Sequence, residues 1–117
     1  MQFKVLQIQI DRCVSDSVNT LGHQGAAEQY PEYAARLETS FKGSLGYKPE
    51  YGVYYVQVCS IDAEDLDAVF RIGNIGPESC ITRLGQMHSV SVGDIIEDPE
   101  GTQYMVNSFG FKELTNV

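Results

Sequence analysis

The chain has no tryptophan, only two histidines, and eight Lys or Arg residues against sixteen Asp or Glu. A net charge of -8 repels phosphate backbones and anionic lipid surfaces, which argues against direct nucleic-acid binding and against a membrane partner. Cysteine is equally scarce. Cys13, Cys59 and Cys80 are odd in number, far apart and without a CxxC or Cys/His spacing, so neither a disulfide framework nor a zinc site is expected. All three should be reduced, with Cys59 a small core residue. No apolar run approaches the roughly 20 residues of a membrane span. The opening MQFKVLQIQIDR alternates polar with apolar side chains, unlike a signal peptide, and a cytoplasmic protein is expected.

Catalytic and ligand signatures are also missing. There is no GxSxG elbow and no spaced oxygen set of EF-hand type. GNIGP follows a helical pattern instead of opening one, so it reads as a helix stop and not as a phosphate cradle. No cofactor, metal or catalytic residue is expected.

What is present suits one globular domain: 117 residues, 43% hydrophobic and 21% charged, with seven Tyr and five Phe. Residues 2–10 alternate as a half-buried strand, with Leu6, Ile8 and Ile10 on one face and Gln7 and Gln9 on the other. Residues 11–30 have no clean period and the Ser, Asn, Asp and Gly content of a loop, either mobile or with a short helical turn at Ala26 to Tyr30. Pro31 opens a helix to about residue 41, with Leu37 and Phe41 at helical spacing. GVYYVQVCSI, residues 52–61, is a central strand apolar on both faces, and Asp62 caps a helix with the stripe Leu66, Val69 and Phe70, ended by Gly73 and Asn74. CITRL suits an edge strand. Residues 94–98 and 102–108 form a hairpin through the Asp98-Pro99-Glu100-Gly101 type I turn, and 111–114 a last strand. The expectation is a single α+β domain over residues 1–117, with a small, mostly antiparallel sheet or partly open barrel and two short helices packed on it.

Two groups of side chains suit function. Tyr47, Tyr51 and Tyr54 cluster near the central strand, and with the acids Glu64, Asp67, Glu97, Asp98 and Glu100 they make a candidate protein-binding patch. The run HSVSVGD holds His88, Ser89, Ser91 and Asp94, residue types that a nucleophile, base and orienting acid require. Turn grammar explains the same run: Ser89 or Ser91 capping backbone amides, Gly93 at positive φ and Asp94 closing an Asx turn, with Gly101 and Gly110 serving later turns.

Over residues 53–114 the order of strand, Leu-x-x-Val-Phe helix, Ser-x-Ser-Val-Gly-Asp-Ile-Ile hairpin and Gly-Phe exit resembles small bacteriophage and mobile-element proteins and the YodL-like domain. The matching positions include Leu66, Val69, Phe70, Ser89, Ser91, Gly93, Asp94, Gly110 and Phe111. The resemblance implies an accessory protein of small α+β fold and brings no catalytic residues with it. The leading expectation is a non-enzymatic protein that binds and modulates or inhibits a host protein, including by acidic, nucleic-acid-like charge mimicry. The alternatives are a virion structural component or homo-oligomer, and a small hydrolase using His88 with Ser89, Ser91 or Asp94.

Overall fold

The computed structural model describes residues 1–114. The fold is α+β, with one open antiparallel sheet in the order β3-β2-β1-β4-β5-β6. Its strands are β1 Gln2–Ile8, β2 Tyr55–Asp62, β3 Ile81–Arg83, β4 Ile95–Glu97, β5 Gln103–Val106 and β6 Phe111–Glu113. Among the described residues the edge strands β3 and β6 do not pair, and the sheet is open instead of closed into a barrel.

Helices cover both faces, which is why β1 buries residues of both parities. Phe3 and Val5 join Cys59, Ile61, Ile96 and Val106 under α3, Leu66–Ile75. Ile8, Tyr55, Ile95 and Met105 form the opposite core against Ala35 of α2, Pro31–Lys42. Gln7, expected to face away from the apolar set, is 1% exposed and lies inside the protein.

Residues 11–30 are not a loop. Asp11 accepts a hydrogen bond from the Val14 amide at 3.0 Å and caps α1, Arg12–Gln29, whose two pieces meet at Gly22, φ 77. The helix has no clean amphipathic stripe because it packs chiefly on α2, where Val14 and Ala26 meet Tyr33 in a small separate core. Among the described residues the fold therefore carries three α-helices instead of two.

Three further boundaries move. Residues 49–54 form a 3-10 turn before β2, which leaves Val53 exposed instead of in the strand. The β1–β2 register slips between Val5, opposite Cys59, and Leu6, opposite Gln57. Val58 is the extra residue, and this bulge lets the successive Val58 and Cys59 both be buried. Asp65, not Asp62, caps α3, accepting from the Ala68 amide at 2.8 Å, while Asp62 ends β2. The buried face of α3 is Ala68, Val69 and Ile72, and Phe70 turns outward. Gly73 is interior, because a Cβ there would overlap Val90, and the helix runs on to Gly76, φ 97.

Cys59 is fully buried, and burial pushes its thiol up to about 11, whereas Cys13 is exposed. A thiol-reactive chromophore should therefore label Cys13 rapidly and Cys59 only after denaturant is added. Fast labelling of Cys59 under native conditions would show that the sheet opens at β2.

Candidate functional site

The segment from His88 to Asp94 crosses over the sheet and is tied to β1 by Gln7. The Gln7 Nε2 amide donates to the His88 carbonyl at 2.9 Å and to Asp94 Oδ2 at 3.0 Å, and Gln7 Oε1 accepts from the His88 backbone N–H at 3.2 Å. Ser91 N–H donates to the same Asp94 Oδ2 at 2.9 Å, and Asp94 N–H donates back to the Ser91 carbonyl at 3.0 Å. Gly93 sits at φ 95, and its carbonyl accepts the Tyr55 hydroxyl at 2.5 Å. Burial raises that phenol's pKa far above its ordinary value. Gly93 thus takes a positive φ, and Asp94 bonds back to the Ser91 amide instead of closing an Asx turn onto a later one. The capping is done by the Asp94 carboxylate and not by the serine hydroxyls, since Ser89 and Ser91 contribute backbone atoms.

His88 Nδ1 lies 2.7 Å from the Ser89 carbonyl, which can only accept, and 3.3 Å from Gln7 Nε2, whose two hydrogens already go to the His88 carbonyl and Asp94, so the tautomer that satisfies the network carries its proton on Nδ1. The other nitrogen, Nε2, faces Asp94 Oδ1 at 3.9 Å. The structure therefore brings His88 and Asp94 together, as a base and an acid. Among the described residues neither serine hydroxyl hydrogen-bonds the ring, so no nucleophile is placed beside it.

Asp94 is 5% exposed, and its pKa is pushed up to about 6, first by burial; the neighbouring His88 charge and the hydrogen bonds from Ser91 and Gln7 oppose the shift. Because the folded value lies above the roughly 3.9 of an unfolded aspartate, the folded chain holds this proton more tightly. The stability so contributed is complete below about pH 4 and is lost as pH rises through about 6. Asp94→Asn keeps an oxygen for Gln7 and Ser91 and removes the charge. Between pH 4 and 7 the parent should lose roughly 2 to 3 kcal/mol relative to Asp94→Asn in urea denaturation. Parallel pH–stability curves for the two would show that Asp94 is ionised throughout.

The other predicted site residues separate into two places. β1 pairs Gln2 with Asp62 and Lys4 with Glu97, so the acids beyond those strands share one end of the sheet: Glu64 and Asp67 at the start of α3, and Glu97, Asp98 and Glu100 at the hairpin. Two of these acids are structural. Glu97 pairs with Lys4 at 3.5 Å, and Asp98 Oδ1 accepts the Glu100 and Thr102 amides, both at 2.9 Å, with Gly101, φ 92, closing the turn. The tyrosines lie at the opposite end, beside the Ile8–Tyr55 pair. Tyr47 stacks edge-on against Tyr51 and Tyr55, and Tyr51 lies against Tyr54. The composite tyrosine and acid patch is therefore split along the strands.

The tyrosine end carries side chains that the sequence did not single out. Asn107 Oδ1 accepts the Ser44 amide at 2.8 Å, and its Nδ2 donates to the Ser44 hydroxyl at 3.1 Å. This clamp draws the turn after α2 onto the β5–β6 turn, where Gly110, φ 76, offers its carbonyl to the Asn107 amide. On and beside it Phe41, Leu45 and Phe109 are 81%, 92% and 96% exposed. Exposure of an aromatic at a turn has no periodic signature, so only the clamp between distant segments reveals the group.

No protein-family model matches the chain, and no curated protein or solved structure matches it either. Among the described residues no helix is long and apolar enough to cross a membrane, and no group of three or more His, Cys, Asp or Glu is gathered to hold a metal.

Proposed function

We propose that this chain is a non-enzymatic accessory protein of the bacteriophage type that binds and modulates a host protein. The observation that carries the reading is the apolar end: Phe41, Leu45 and Phe109, presented by segments that side-chain hydrogen bonds hold together. Large apolar side chains leave water only on a partner, and a preordered backbone lowers the entropy lost when they do. Tyr47 and Tyr51 adjoin this end through the chain itself and supply the aromatic anchors typical of binding hot spots. The phage setting comes from the resemblance of residues 53–114.

The acidic end favours one kind of partner. Glu64, Asp67 and Glu100 are exposed at the far end of the same sheet, so a basic, nucleic-acid-handling partner would be steered toward it. Salt should then slow capture, whereas apolar docking alone would be salt-tolerant.

The test is affinity capture from host lysate with the parent and with Leu45→Glu/Phe109→Glu side by side. A protein retained by the parent and lost with the variant, at an unchanged melting temperature, supports the reading. The same proteins on both baits would overturn it, as would a solution mass showing that the patch only joins copies of this chain.

A further inference from the structure

Two hollows meet beside Asp94. An open cleft of about 1210 Å³ runs between α1, α2 and residues 83–88, and a cavity of about 20 Å³ adjoins it. Ile8, Arg36, Ser40 and His88 line both, so they mark the junction. The smaller hollow has room for a single water-sized group.

The groups around it are unequally satisfied. Asp94 Oδ2 takes the hydrogen bonds from Gln7 and Ser91, while Oδ1 has only His88 Nε2, at 3.9 Å and beyond hydrogen-bond reach. Among the described residues no buried side-chain oxygen is left without a partner, so Oδ1, which has none, is open to the hollow and within reach of a donor placed there. His88 Nε2 beside it is a bare acceptor in the neutral ring, because Nδ1 holds the proton. On the other side, Arg36 forms no ion pair among the described residues, although its charge acts on Asp94. Arg83, also on the cleft wall, is already engaged by Glu78.

We propose that this junction binds an α-amino acid. Its ammonium group enters the small cavity and donates to Asp94 Oδ1 and His88 Nε2. Its carboxylate lies at the mouth on the Arg36 guanidinium and the Ser40 hydroxyl. Its side chain extends into the cleft against Ile10, Val18, Leu37 and Met87. An ammonium is water-sized and brings three donors, which a carboxylate oxygen open to the hollow beside a neutral imidazole nitrogen can accept. A lone cation would meet Arg36 and a lone anion would meet Asp94, so only a ligand with both charges is matched to the pair. Asp11 and Glu32 on the cleft wall select against acidic side chains, and the apolar wall favours leucine-like ones.

The experiment is an amide and imidazole NMR titration of the whole chain with L-leucine, with 3-methylbutylamine, which keeps only the amine, with 4-methylpentanoate, which keeps only the acid, and with L-aspartate. Leucine should saturably shift the His88 ring and the Ser91 and Asp94 amides, with an affinity in the millimolar range or tighter. The two single-charge analogues and aspartate should bind about tenfold more weakly. Asp94→Asn and Arg36→Met should each weaken leucine binding by a similar factor while the spectrum of the sheet stays unchanged. No shift with leucine, equal binding of either analogue, or undiminished binding to both variants would overturn the proposal. Leu45→Glu/Phe109→Glu should titrate like the parent, so the outcome is independent of the partner surface.

Discussion

Gly93→Val should cost roughly 3 to 5 kcal/mol, a large share of a small domain's total stability. Two terms add. Gly93 lies at φ 95, where a β-branched residue is strained by about 1 to 3 kcal/mol. A Cβ would also stand 2.9 Å from the Thr39 carbonyl carbon and 3.0 Å from its oxygen, so α2 must move off the turn. Thermal melts should show a drop on the order of 10 to 20 °C. Gly101→Val is the control: its φ of 92 is similar, but nothing lies within 4 Å of the added Cβ, so only the backbone term remains. Equal losses at the two glycines would mean that the contact with Thr39 contributes nothing.

Gln7→Leu should cost about 2 to 4 kcal/mol, although leucine fills nearly the same volume and is the better core residue by composition. The amide serves both the N–H and the carbonyl of His88 and one oxygen of Asp94. An apolar replacement leaves the His88 N–H and carbonyl without this partner and Asp94 Oδ2 with the Ser91 amide alone. The loss should be smaller at pH 4 than at pH 7, since a protonated Asp94 needs the donor less. Urea denaturation at both values measures it. A variant as stable as the parent would mean that water reaches this cluster and replaces the amide.

The Gln7 network shows where the sequence stops being informative. Its members are 81 to 87 residues apart, and a glutamine at an odd position of an alternating strand looks like a solvent-facing residue. It is buried because the His88–Asp94 segment lies over it, and period-two alternation cannot report a second covered face. The helix α1 was hidden for a related reason. Its serines, asparagine and glycines are weak helix formers, and packing of Val14 and Ala26 on Tyr33 of α2 holds it instead of an amphipathic stripe. The tyrosine and acid patch failed because chain order does not say which end of an antiparallel strand a turn occupies.

What the sequence determined by itself were features set by local chemistry. The Asp98–Gly101 turn, the positive φ at Gly93, the break at Gly110, the proline-opened α2 and the order of the last three strands all follow from residues within a few positions of one another. Tertiary structure alone decided which oxygen of Asp94 is satisfied, which side of it Arg36 lines, and that Leu45 and Phe109 share one end. Each of those depends on pairing distant segments, whose geometry comes from burial summed over the whole sheet.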